Sequence, residues 1–257
     1  MKAIRIGVIG GTGGMGRWFA RFLEKEGHIV HVSGRKTGMD IRSLARGCQV
    51  VIVSVPISVT CQVIRQIGPH MSEGSLLMDL TSLKAKPVKA MLKSSTCEVI
   101  GLHPLFGPRV RSMKGKNILI CPARGEKWLP WLRDTFSGQG ARLTETTPAR
   151  HDQIMAIVQG LTHLNTLTMG LALGRMGIRL RELQGFFTPL FRSRLATIRK
   201  IFASNPRLYA EIIALSPHGK EILRLYEGAL GEVGRPVRKK DPAALVRLME
   251  EGVALRR

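Results

Sequence analysis

His103 lies in Gly101-Leu102-His103-Pro104, directly after an apolar run, which puts it at the end of a strand where proline fixes the chain leaving the sheet. An imidazole there, with an ordinary pKa near ~6.5, can take a proton from a hydroxyl while hydride departs from the adjoining carbon. A satisfied histidine at a strand end is the plain alternative. Ser82 and Lys84 follow the preceding apolar run, within Asp79-Leu80-Thr81-Ser82-Leu83-Lys84, and face the same crevice, able to orient a hydroxyl or the histidine. Ser82 equally suits the N-cap of a helix starting near Lys84.

What such a base would serve is legible at the chain's start. Ile4, Ile6 and Val8 alternate as a strand does, a glycine turn follows, and Met15, Trp18, Phe19, Phe22 and Leu23 then share one helical face, with Gly27 as C-cap. The G-x-G-x-x-G spacing falls on Gly11, Gly13 and Gly16, where a dinucleotide site needs a tight turn, close approach to a pyrophosphate and close helix-to-strand packing. The cofactor contacts expected are therefore Gly10, Gly11, Thr12, Gly13, Gly14, Met15 and Gly16, joined by Val55 and Pro56 past the third strand. The second strand, Ile29 to Val32, ends where NAD sites place an acid on the ribose. Here the chain reads Ser33-Gly34-Arg35-Lys36-Thr37, with no carboxylate. Ser33, Arg35 and Lys36 suit a 2′-phosphate, so NADP is preferred over NAD, the alternative being a solvated basic loop.

These residues need a scaffold. Val50 to Val53, Leu76 to Met78, Val99 to Leu102 and Ile118 to Ile120 are short apolar runs of the kind that doubly covered strands show. The fold class expected is α/β, an N-terminal Rossmann-like doubly wound, mostly parallel sheet over residues 1–147, followed by an all-α domain over 148–257. Helices are expected from about 148 to 174 and after Thr188-Pro189, Asn205-Pro206, Ser216-Pro217 and Asp241-Pro242, each pairing a capping side chain with proline. Gly228 to Lys240 reads as a linker. Between Gln153 and Gly174 there is no charge, yet the amides and hydroxyls along it argue for a helix buried in protein rather than a membrane span.

A length of 257 residues and 44% hydrophobic content suit a globular chain. The four cysteines, Cys48, Cys61, Cys97 and Cys121, are scattered and no histidine cluster has ligand spacing, so neither a disulfide framework nor a metal site is expected. Reduced thiols and a Met1-Lys2-Ala3 start that leads straight into the first strand point to the cytoplasm. The formal charge of +22 is spread over both halves without basic-aromatic interleaving. It reads as solvated surface that steers anionic ligands, not as a nucleic-acid module.

In the helical part, Arg192 and Arg199 share a face, Lys200 lies further round, and Phe191, Leu195, Ile198 and Phe202 form the opposite, core side. Such cations suit a carboxylate, although a charged solvent face is the commoner meaning of the pattern. His151-Asp152-Gln153 opens the long helix, Asp152 as a cap and His151 as a gate or a ligand contact.

The glycine loop Gly10 to Gly16, Asp79 to Lys84, Gly101 to Pro108, His151 to Ala156, and Thr188 to Arg192 through Asn205 to Ile213 occur in an order and spacing that resemble the prephenate/arogenate dehydrogenase family over nearly the whole chain. The resemblance implies oxidative decarboxylation of prephenate or arogenate on the way to tyrosine, His103 deprotonating the C4 hydroxyl, Ser82 bonding that hydroxyl or the histidine, and Lys84 supporting the site. It implies substrate contacts from Arg192, Lys200, Arg199, His151 and Gln153, and a homodimer through the helical domain. The family's second arginine is matched here by Lys200, which keeps the charge but loses the bidentate fork. Either Lys200 binds with altered geometry, or Arg199 substitutes, or arogenate is the substrate. The competing readings are another two-domain dehydrogenase of the β-hydroxyacid or imine-reductase kind, and a basic nucleotide-sensing or nucleic-acid-binding protein.

Overall fold

The computed structural model describes residues 3–252; Met1 and Lys2, on which the reading of the chain's start rests, and residues 253–257 lie outside the described residues. Seven strands, β1 (Arg5–Ile9), β2 (Ile29–Ser33), β3 (Val50–Val53), β4 (Leu76–Asp79), β5 (Glu98–Pro104), β6 (Asn117–Arg124) and β7 (Arg142–Glu145), form one sheet in the order β2-β1-β3-β4-β5-β6-β7. Every pairing is parallel except β5 with β6. Helices α1 (Gly14–Lys25), α2 (Ile41–Gly47), α3 (Ile57–Ile67), α4 (Ala85–Ser94) and α5 (Trp128–Ser137) cover it.

Strand alternation divides the core in two. Val50 and Ile52 turn toward Phe19 and Leu23 of α1 and Leu132 and Phe136 of α5. Val51 and Val53 turn toward Leu44 of α2, Ile64 of α3 and Met91 of α4. Burial on both faces is why β3 and β4 are uninterrupted apolar runs closed by Asp79. β7 escapes sequence reading because it is an edge strand of Arg-Leu-Thr-Glu, mostly exposed, with no apolar face.

The remainder is helical: α6 (Pro148–Met155), a π-helical segment Ala156–Leu161, α7 (Thr162–Arg175), α8 (Pro189–Ser204), α9 (Pro206–Ala214), α10 (Gly219–Lys239) and α11 (Pro242–Glu251). Thr188 and Asp241 cap as their positions imply, accepting from Phe191 N at 3.1 Å and Ala244 N at 2.9 Å. Ser216-Pro217 does not open a helix; α10 begins at Gly219. The linker expected over Gly228 to Lys240 is instead the second half of α10. Three glycines and Pro236 disfavour helix there, but α10 packs on the π-helical segment and on α11, and tertiary packing outweighs propensity. On α8 the buried stripe is Leu195, Ile198 and Ile201, while Phe202 lies exposed. Two compact units result: one runs through Met155 and includes Arg207–Ser216, the other takes Ala156–Pro206 and the chain from Pro217. Among the described residues no helix is long and apolar enough to cross a membrane.

Candidate active site

The glycine turn joins β1 to α1 through close backbone contacts. Gly10 has φ +81°, and a Cβ there would meet the Ser54 carbonyl at 2.2 Å, so the tight turn falls on Gly10 rather than Gly11. At Gly16 a Cβ would reach the Gly10 carbonyl at 2.4 Å, which is the close helix-to-strand packing expected of the last glycine. Thr12 stands against Gly34, Met15 packs on the core, and Val55 lies beside Gly10. Pro56 is the N-cap of α3.

Three helix N-termini follow strands at this edge of the sheet, and none carries its own side-chain cap. For α3, Glu211 of α9 supplies one: its Oε1 accepts from Ser58 Oγ at 2.8 Å and its Oε2 from Ser58 N at 3.3 Å, with Arg207 Nε donating to Oε1 at 2.8 Å. For α4, Asp152 of α6 does so: Oδ1 accepts from Lys84 N at 2.7 Å and Oδ2 from Ala85 N at 3.0 Å. The cap of α4 is thus Asp152 from a distant helix and not Ser82, which is half-buried in the turn. At α1, with Gly13 as N-cap and no acid in its first turn, no described carboxylate occupies the amide end. That end fits the diphosphate of a dinucleotide.

At the end of β2 the turn is basic, as read from sequence. Ser33 is buried and its hydroxyl donates to the Met39 carbonyl at 3.1 Å, whereas Arg35 and Lys36 are exposed in a turn closed by Thr37 N donating to the Gly34 carbonyl at 3.1 Å.

His103 lies near the end of β5, 3% exposed. The loop after it is tied to α1: Phe106 meets Trp18 edge-on at 5.2 Å, Trp18 Nε1 donates to the Val110 carbonyl at 2.8 Å, and Pro108 stands so near Gly14 that a Cβ there would come within 2.9 Å. Behind it, His103 Nδ1 and His151 Nε2 are 2.9 Å apart, and His151 Nδ1 and Asp152 Oδ1 are 2.8 Å apart. Lys84, fully buried, donates through Nζ to Asp79 Oδ2 and, at 2.9 Å, to the Leu102 carbonyl. Gly101 makes room for that side chain, since a Cβ on it would meet Lys84 Cδ at 2.9 Å.

Burial, then His151, then Lys84 hold the His103 pKa well below 6.5, which corrects the ordinary value expected from sequence. His151 is lowered too, chiefly by burial and only partly offset by Asp152. For Asp152, burial pushes upward, but bonds from His151, Ala85 and Lys84 leave it below the usual carboxylate value. Both histidines are therefore neutral at neutral pH. Below pH 6.5 the unfolded chain binds protons that these two refuse when folded, so stability should fall by up to about 1.4 kcal/mol per pH unit for each. Denaturant midpoints at about pH 7.5 and about pH 5.5 check this; an unchanged midpoint would mean that neither is held neutral.

The first unit thus brings together His103, Lys84 and His151, with Ser82 in the turn nearby. Gln153 is exposed and accepts from Arg150 Nη1 at 2.7 Å. In the second unit Arg192, Arg199 and Lys200 lie exposed on α8, and the Arg192 guanidinium sits 6.0 Å over the Phe187 ring. Sequence reading gave no role to Asp79 and treated Asp152 as a cap of its own helix. The one signal for Asp79 was a lone acid closing an apolar strand, with lysine five residues on.

A mostly parallel sheet with a glycine turn feeding an uncapped helix defines a nucleotide-binding fold of the doubly wound class. Two family models match the chain in succession, "Prephenate dehydrogenase, nucleotide-binding domain" over residues 33–145 and "Prephenate dehydrogenase, dimerization domain" over residues 147–251. The chain belongs to the prephenate dehydrogenase family, a family of oxidoreductases. It is 35% identical to a probable arogenate/prephenate dehydrogenase of Methanocaldococcus jannaschii, over 96% of this chain and 60% of that protein. It is 36% identical to the T-protein of Haemophilus influenzae, over 81% of this chain and 55% of that one. It therefore spans little more than half the length of these relatives. In fold it matches prephenate dehydrogenase from A. aeolicus in complex with hydroxyphenyl propionate and NAD+, at TM-score 0.79 and 17% identity over 100% of this chain and 98% of that one.

Proposed function

We propose that this chain is an NADP-preferring prephenate dehydrogenase, in which residues 1–147 bind the dinucleotide and residues 148–257 bind substrate and pair with a second copy. The observation that carries the reading is His103, held neutral near the end of β5 and followed by a loop that packs against the start of α1. His103 takes the C4 hydroxyl proton, Ser82 holds that hydroxyl, and Lys84 biases the imidazole toward its neutral form. The nicotinamide, when bound, accepts the C4 hydride. Loss of the ring carboxylate as CO2 then gives 4-hydroxyphenylpyruvate, its electrons moving toward the C4 oxygen, which takes its proton back from His103 as the ring becomes aromatic. Arg192 and Lys200 or Arg199 bind the carboxylates, with the exposed Gln153 as a further substrate contact, whereas His151, buried and bonded through both ring nitrogens, backs His103 instead of touching substrate. Gly10 to Gly16, Val55 and Pro56 hold the dinucleotide, and Arg35 and Lys36 the 2′-phosphate; Ser33, its hydroxyl given to Met39, shapes the turn.

Lysine rather than arginine at position 200 keeps arogenate, which bears an amine on its side chain, as the second reading. Purified protein mixed with prephenate or arogenate, and NADP+ or NAD+, should reduce NADP+ fastest with prephenate; no reduction in any of the four mixtures would end the proposal. Replacing Arg35 and Lys36 together by alanine should raise the KM for NADP+ by about tenfold or more and leave that for NAD+ within about twofold. Equal change for both cofactors would remove these two side chains from the phosphate site.

A further inference from the structure

We propose that His151 and Asp152 are positioning residues which set the proton-bearing nitrogen of His103, leaving its Nε2 as the base and sharing the charge that arrives there. This rests on the function proposed above, in which His103 is the base.

The argument starts at the fixed end of the chain of bonds. Asp152 is 2% exposed and accepts two backbone N–H groups at the start of α4, so its carboxylate is ionised and anchored. An ionised carboxylate only accepts, so the proton in the 2.8 Å contact belongs to His151 Nδ1. A neutral His151 then has a bare Nε2, which can only accept, so the proton in the 2.9 Å contact belongs to His103 Nδ1. The lone pair of His103 is thereby placed on Nε2. One anchored carboxylate dictates the tautomers of two imidazoles in series. When Nε2 takes the substrate proton, the imidazolium formed donates to His151, which is itself backed by an anion, so the positive charge is met inside a site that otherwise disfavours it.

Lys84, Asp79 and Cys121 do not supply that balance. From α4, Lys84 opposes a second cation, while Asp79 on β4 is already engaged by Lys84. On β6, opposite Gly101, the Cys121 thiol is pushed up to about 12 by burial and stays neutral. Asp152 is an anion bonded directly to His151.

Two substitutions separate a tautomer role from a merely structural one. In Asp152→Asn an NH2 must stand either where Oδ1 accepts from Lys84 N and His151 Nδ1 or where Oδ2 accepts from Ala85 N. In the first place it donates to His151, inverts both imidazoles and puts a proton on His103 Nε2; in the second the tautomers stay but the anion that shares the arriving charge is gone. The expected kcat loss is about a hundredfold or more, with NADP+ affinity and substrate KM within about threefold. In His151→Gln the amide nitrogen donates to Asp152 and the amide oxygen accepts from His103 Nδ1, preserving the polarity, so kcat should fall less than about tenfold. A structural role predicts the reverse order, because asparagine still caps α4 and glutamine removes a buried ring. Ring-¹⁵N NMR reads the tautomer directly: His103 should carry its proton on Nδ1 in the parent, and in Asp152→Asn on Nε2 wherever the amide NH2 faces His151. A parent protonated on Nε2, or an Asp152→Asn variant with full kcat, would overturn the relay. The NMR result stands even if neither substrate is turned over, so failure of the relay and failure of the proposed function are told apart.

Discussion

Turnover by the His103→Asn variant is expected to fall by roughly two to four decades, while its affinity for NADP+ stays within about twofold of the parent. Asparagine can donate to His151 Nε2 as His103 Nδ1 does, so the buried contact survives and only the proton acceptor is lost. The cofactor contacts proposed lie on β1, α1 and the ends of β2 and β3, and none is made by the imidazole. The pH profile of the parent gives a second reading. Because burial, His151 and Lys84 hold the His103 pKa well below 6.5, the acid limb of kcat/KM should lie below that value instead of on it. A variant with parental turnover, or a parent whose activity already halves at 6.5, would relieve His103 of the role.

How much of this was legible in the sequence varies with the distance over which each feature is specified. The glycine turn, the alternating first strand and the apolar runs are local, and the structure has them where they were read, save that the tight turn falls on Gly10, one residue earlier than expected. The edge strand β7 has no apolar face to signal it. Three glycines and a proline hid the second half of α10, because what keeps it helical is its packing on other helices. For the site, His103, Ser82 and Lys84 announce themselves by following strands. Asp79 has its partner five residues on, within reach of a local reading, whereas Asp152 acts on a backbone amide 68 residues away, a pairing that no window of sequence displays. The same limit hid the His103 pKa, since one residue's type says nothing of a lysine and a second histidine packed against it.

The largest effect on stability is expected from Asp79→Leu, which should cost about 3–5 kcal/mol. The Lys84 ammonium would remain fully buried beside the Leu102 carbonyl without Asp79 to offset its charge, and an uncompensated charge there destabilises the fold. Asp79 also accepts from the Thr81 amide at 3.0 Å and from the Thr81 hydroxyl, so the turn that carries Ser82 should loosen with it. Pairing Asp79→Leu with Lys84→Met should restore much of the loss, because two apolar side chains bring no buried charge. Urea unfolding of the two single variants and the double variant measures the coupling. A double variant no more stable than Asp79→Leu alone would mean that the unpaired cation is not the source of the loss.

Glu211 and Asp152, which close the starts of α3 and α4, also bear on the order in which the chain is made. The ribosome finishes both helices long before it adds either carboxylate, so α3 waits for residue 211 and α4 for residue 152 before its exposed amides are met. A fragment cut at residue 147 would hold every strand of the sheet and neither of these closures. The unit built on the sheet is in this sense completed by carboxylates from later in the chain.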